Sequence, residues 1–106
     1  MTIKKLVFTH GREVFAIEIC NHVITYTDRR NPNPIQFMPK DPEIRRKVIF
    51  SRNKIPKYIL DLIDDANSGR NLAEYQACKT DEELVPIVIR DAKIKGCLLQ
   101  KRMDID

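Results

Sequence analysis

Residues 14–27 read Val14-Phe15-Ala16-Ile17-Glu18-Ile19-Cys20-Asn21-His22-Val23-Ile24-Thr25-Tyr26-Thr27, and this stretch decides the fold class. Two β-rich runs, Val14–Cys20 and Val23–Thr27, are separated by Asn21-His22, where Asn tolerates the left-handed backbone region that a tight turn needs. Such a turn sets Ile19 opposite Ile24 and Ile17 opposite Tyr26. The large apolar side chains then share one face, as a half-buried sheet requires. Upstream, Ile3–Thr9 is a third β-rich run, and His10-Gly11 supplies a two-residue turn that places Leu6 opposite Phe15. The other face carries Lys5, Arg12, Glu18, Thr25 and Thr27, diluted by Val7, Val14, Ala16 and Val23. A three-stranded antiparallel meander follows.

Downstream, Asp28-Arg29-Arg30-Asn31-Pro32-Asn33-Pro34 is an extended connector in which proline fixes φ and restricts its neighbours. Ile35–Met38 reads as a short extended piece. Asp41-Pro42-Glu43 opens a short helix with Asp as N-cap and Pro in the first turn, reaching Ile49 with Ile44 and Val48 inward. A second helix runs from Ile55 or Pro56 to Asn67, with Ile59, Leu60, Leu62 and Ile63 as its apolar side and Asn67-Ser68-Gly69 closing it. A third spans Asn71 to Lys79, where Asn71 and Glu74 have capping-box spacing; Thr80 and Glu83 repeat it in better form. Leu84–Lys95 carries a helical arc of Leu84, Val85, Val88, Ile89 and Ala92, with Gly96 as C′. Pro86 and the β-branched run Ile87-Val88-Ile89 speak instead for a hairpin of Val85–Arg90 with Ile94–Gln100. The helix is favoured, followed by a last short strand at Cys97–Lys101. The expected architecture is one α+β domain over residues 1–106, its meander covered on one face by the C-terminal helices.

The 106 residues suit a single domain, and 42% hydrophobic with 32% charged residues gives a modest core rather than a disordered chain. No apolar run approaches the roughly 20 residues of a membrane span, and Thr9-His10-Gly11 interrupts the early apolar stretch, so neither a membrane partner nor a signal peptide is expected. Three cysteines without a close pair, Cys20, Cys78 and Cys97, indicate reduced thiols and a cytoplasmic setting rather than a disulfide framework.

Catalytic patterns are weak. His10 and His22 fall at opposite ends of the second strand, on the order of 30 Å apart, too far to share one substrate atom. Cys20 and His22 lack the second close ligand pair of a structural zinc site, since Cys78 and Cys97 are distant in sequence. Cys97 after Gly96 has no base placed beside it. Asp64-Asp65 and Asp81-Glu82-Glu83 read as surface helix charges, and Glu13, Asp28 and Glu43 do not cluster in sequence as a metal-dependent nuclease requires. No metal and no cofactor is expected, and binding is favoured over catalysis.

Charge is the informative feature. Residues 1–60 hold 12 Lys/Arg against 5 Asp/Glu, whereas residues 61–106 hold 7 against 10. The segment Lys40–Lys57 concentrates Arg45, Arg46, Lys47, Arg52, Lys54 and Lys57. Around the helix start near Pro56, basic Lys54 and Lys57 precede acidic Asp64 and Asp65, the reverse of what the helix dipole favours. Ser51, Arg52, Asn53, Lys54 and Lys57 around exposed helix N–H groups form a competent anion site, which Arg29 and Arg30 extend from the loop. No aromatic base-stacking pair stands out and tryptophan is absent, so phosphate contacts would dominate. The expectation is a small basic non-enzymatic protein that binds nucleic acid or another polyanion. The alternative is a protein-interaction or regulatory module that forms a homo-oligomer, its basic and acidic halves meeting across a two-fold.

Overall fold

The computed structural model describes residues 2–37 and 55–106. Five strands form one sheet: β1 (Ile3–His10), β2 (Glu13–Cys20), β3 (Val23–Asp28), β4 (Ile35–Gln36) and β5 (Leu98–Ile105). Among the described residues there are three helices, α1 (Lys57–Ala66), α2 (Gly69–Ala77) and α3 (Asp81–Ile94). All strand pairs are antiparallel and the order is β4-β3-β2-β1-β5. The α+β class, the N-terminal meander and a C-terminal strand are therefore as the sequence indicated. The short helix expected from Asp41 to Ile49, with Ile44 and Val48, lies outside the described residues, as does Met38.

The period-two pattern sets the faces. Leu6, Phe8, Phe15, Ile17, Ile19, Ile24 and Tyr26 are all buried on one side, together with Phe37 beyond β4. The helices cover that side with Ile59, Leu62, Ile63, Ala66, Tyr75, Leu84, Val85, Val88 and Ala92. Ile19 pairs with Ile24 and Ile17 with Tyr26, as expected, across a turn in which Asn21 and His22 both have positive φ, 50° and 63°. That is the type I′ geometry whose twist matches the strands.

The first turn differs from expectation. His10 pairs with Glu13, so the loop is Gly11-Arg12, and Leu6 faces Ile17 while Phe8 faces Phe15. Gly11 takes the positive φ, 60°, at the first central position, where a two-residue turn of the II′ kind requires it. The slip is two residues, so every side chain keeps its face. It brings the rings of Phe8 and Phe15 into a stack with centroids 5.4 Å apart.

Leu84–Ile94 is helical, with Lys95 as C-cap, and the hairpin alternative does not form. Thr80 caps α3 by accepting from the Glu83 N–H at 3.3 Å, and the Glu83 carboxylate in turn accepts from the Lys79 N–H at 3.2 Å. Asp81, Glu82 and Glu83 in the first turn and Lys93 in the last have the signs the helix dipole favours. Pro86 is exposed, so the one hydrogen bond it removes, to the Glu82 carbonyl, is lost on the solvent side. The helix ends in a Schellman motif. Gly96, φ 85°, donates to the Lys93 carbonyl and Cys97 to that of Ala92.

Helix α2 starts at Gly69, two residues before the expected Asn71, and the Asn71/Glu74 capping box is not formed. Glu74 instead receives two hydrogen bonds from Arg90 of α3, at 2.7 and 3.1 Å. Arg90 also holds buried Asp91, which accepts from the Tyr75 hydroxyl at 2.9 Å, so one polar network locks α2 to α3. The Asp81 carboxylate accepts from the backbone N–H groups of Asn21 and His22 at 3.0 and 2.8 Å, tying the start of α3 to the β2–β3 turn.

Strand β5 is longer than the expected Cys97–Lys101. It runs antiparallel to β1, with a one-residue bulge at Gln100 between the pairs Val7–Lys101 and Phe8–Leu99. Among the described residues no helix is long and apolar enough to cross a membrane.

Two outcomes test this packing. Replacing Pro86 by Ala should raise the free energy of unfolding in urea by about 1–3 kcal/mol, because a helix-interior proline is removed at an exposed position. A decrease would mean that the ring makes a contact the fold needs. Cys97 is 1% exposed and burial pushes its thiol up to about 11. Iodoacetamide at about pH 8 should therefore modify the half-exposed Cys20 and Cys78 well before Cys97, which reacts only on unfolding. Equal rates in peptide mass mapping would contradict that placement.

Candidate functional site

Because Phe15 pairs with Asp28, the start of β2 and the end of β3 lie side by side at one end of the sheet. The β1–β2 turn and the residue preceding α1 join them there. Arg12, Glu13, Val14, Asp28, Arg29, Arg30 and Pro56 line a cleft of about 210 Å³.

The two carboxylates of this cleft already serve the fold. Asp28 accepts from the Tyr26 hydroxyl, from the Asn31 backbone N–H at 2.6 Å and from the Asn31 amide at 3.0 Å. These bonds shape the turn that carries Arg29 and Arg30, with Asn31 buried beneath them and both arginines exposed. Glu13 accepts from the Tyr58 hydroxyl at 2.5 Å. Burial and the neighbouring carboxylates push both tyrosine hydroxyls well above their ordinary range, so they remain donors. The Tyr58 ring stacks on His10, centroids 3.7 Å apart and planes within 10°, which fastens α1 to the end of β1. His10 in turn lies 3.5 Å from where a side chain on Gly96 would begin, an ordinary van der Waals distance, so it is the φ of 85° that suits glycine at the α3–β5 link.

Among the described residues the arginines of this cleft have no ion-pair partner. Among the described residues, ion pairs join Lys4 and Arg102 to Glu82 and Asp104, Arg90 to Glu74 and Asp91, and Lys95 to Asp65. A longer contact links His22 with Asp81. None of these involves Arg12, Arg29, Arg30 or Lys57. Three arginines, each with a planar fork able to grip a phosphate through two parallel hydrogen bonds, thus line one cleft.

Of the residues singled out in the sequence, Arg29 and Arg30 line this cleft, and Lys57, exposed, is the first residue of α1 beside the cleft-lining Pro56. Arg45, Arg46, Lys47, Ser51, Arg52, Asn53 and Lys54 lie outside the described residues. The sequence pattern places Arg12 only on a mixed sheet face. The signal that could have found it is the meander itself, which returns position 12 to the end of the sheet where positions 28–30 leave it. The reversed charges of α1 are explained at one end, since Asp65 is matched by the Lys95 ammonium at 2.6 Å. The N-terminal end has no acidic residue in its first turn.

The other sequence candidates serve the fold or stand apart. His10 and His22 occupy opposite ends of β2. Among the described residues, no group of three or more His, Cys, Asp or Glu side chains is placed to hold a metal ion. Cys97 is buried and its thiol is held protonated, the opposite of an activated nucleophile. Glu82 is held down to about 2 by Arg102 and Lys4. No family model, no curated protein and no solved structure matches this chain.

Proposed function

We propose that this is a nucleic-acid-binding protein that grips backbone phosphates at the cleft formed by Arg12, Arg29 and Arg30. The observation that carries the reading is the convergence of three arginines without an ion-pair partner among the described residues, at a site whose carboxylates are both occupied by internal donors. Lys57 and the first turn of α1 add positive charge and a favourable dipole end beside it. The basic residues Arg45, Arg46, Lys47, Arg52 and Lys54, with Ser51 and Asn53, remain candidates for anion binding on the sequence pattern alone and lie outside the described residues. The cleft is smaller than the roughly 300–1,000 Å³ of most small-molecule pockets, which suits a sugar–phosphate unit of a longer polymer. Contacts of this kind position a backbone and carry no sequence preference. Other polyanions with spaced phosphate or sulfate groups share the chemistry, and the affinity of heparin relative to the nucleic-acid probes at equal salt separates the two classes.

Fluorescence anisotropy with labelled duplex and single-stranded probes tests this. Binding should be detectable at about 50 mM salt and weaken steeply as salt rises, with a log–log slope that falls by about 1 for each of Arg12, Arg29 and Arg30 replaced by Ala. The double variant R29E/R30E should weaken binding about 100-fold or more, whereas K93E, on the exposed side of α3, should leave it unchanged. No binding at low salt, or binding indifferent to R29E/R30E, would refute the proposal.

A further inference from the structure

Strand β5 forms one edge of the sheet, with β1 on its inner side and, among the described residues, no strand on its outer side. It is eight residues long and contains no proline. Its outer row of backbone N–H and C=O groups is a template for a further strand. Exposed apolar groups gather here as well. Of the six large hydrophobic residues that are exposed among those described, Leu98, Leu99 and Ile105 lie on β5 and Ile94 at the end of α3. An edge of this length is normally covered.

We propose that β5 pairs antiparallel with β5 of a second copy of this chain, in the register that sets Met103 opposite Met103 and Arg102 opposite Asp104. The geometry of the strand selects both the partner and the register. The bulge is confined to Gln100, which leaves Lys101–Ile105 as the regular stretch. Its midpoint is Met103. In a two-fold antiparallel pair, directly opposed residues share a face, so the two-fold must pass through a residue of this stretch rather than between two. Centring it on Lys101 or Arg102 sets identical cations against each other, and centring it on Asp104 does the same for carboxylates. Centring it on Ile105 opposes Asp104 to Asp106. Each of these is unfavourable. Only Met103 as centre sets Arg102 against Asp104 twice, with Lys101 opposite Ile105 and its methylene stem over that exposed side chain.

The charges on this edge are balanced for such a joint. Arg102 reaches Asp104 of its own strand at 3.2 Å and Glu82 of α3 at 2.6 Å, and Lys4 reaches Glu82 at 3.0 Å. On the face that carries Glu82, two cations and two anions per copy would meet their counterparts across the two-fold, while Lys101 lies on the opposite face against Ile105. The arginine cleft lies at β2 and β3, away from this edge, so the pairing leaves it open and does not depend on the anion-binding reading.

A joint of five opposed residues per strand is small, so the dimer is expected to be weak, with a dissociation constant on the order of 10–100 μM. Sedimentation equilibrium from a few micromolar to about 1 mM should show the 12.4 kDa chain pass to twice that mass. Hydrogen exchange over the same range should show alternate backbone amides of Lys101–Ile105 becoming protected. R102D and D104R, each alone, should weaken self-association at least tenfold. An equimolar mixture of the two should associate again, because each variant then supplies the charge the other lacks. A wild-type chain that stays at 12.4 kDa throughout would leave the edge to a strand of another protein and overturn the proposal. So would a dimer whose β5 amides stay unprotected, which is readable on the wild-type chain even if a variant fails to fold.

Discussion

The burial of one apolar sheet face organises everything else in this molecule. Leu6, Phe8, Phe15, Ile17, Ile19, Ile24 and Tyr26 cannot be covered by the meander itself, because a three-stranded ribbon has no second layer. The amphipathic helices supply it. β5 then returns beside β1, making β1 an inner strand and moving the sheet's edge to a polar segment. The polar contacts refine this arrangement rather than create it. Asp81 on the Asn21–His22 turn and Tyr58 on Glu13 and His10 fix where each helix end sits against the sheet.

The same packing sorts the charges. Most acidic side chains of the C-terminal half have structural partners: Asp65 with Lys95, Glu74 and Asp91 with Arg90, Glu82 with Lys4 and Arg102, Asp81 with backbone N–H groups. Exposed ion pairs of this sort contribute little individually. Their consequence is nonetheless clear, since the acidic surplus of residues 61–106 is largely engaged within its own half and with β1. Arg12, Arg29 and Arg30, at the far end of β2 and β3, are left without such partners among the described residues, which is why the functional proposal rests on them.

The meander was legible because alternation and turn chemistry agree over residues 14–27, and a two-residue slip in the first turn does not disturb which side chains are buried. Thr80, Glu83 and Gly96 likewise announced both ends of α3. Pro86 obscured the helix between them, since a local rule cannot tell whether the lost hydrogen bond falls in the core or in water. The full length of β5 is hidden in the sequence because Lys101-Arg102-Met103-Asp104 is mostly charged and shows little alternation. Glu74 has the spacing of a cap in the sequence, but its partner, Arg90, lies sixteen positions away on another helix, beyond the reach of a local pattern.

The sequence by itself determined the α+β class, the buried face, the turn at Asn21-His22 and the presence of arginines 29 and 30 in an extended loop. Those properties are encoded within windows of a few residues, in side-chain period and backbone preference. Tertiary structure alone decided that Arg12 joins Arg29 and Arg30, that Tyr58 and Tyr26 occupy the nearby carboxylates, and that β5 stands as the outer edge beside β1. Each of these depends on residues far apart in the chain being brought together by burial of a common core, which no local pattern records.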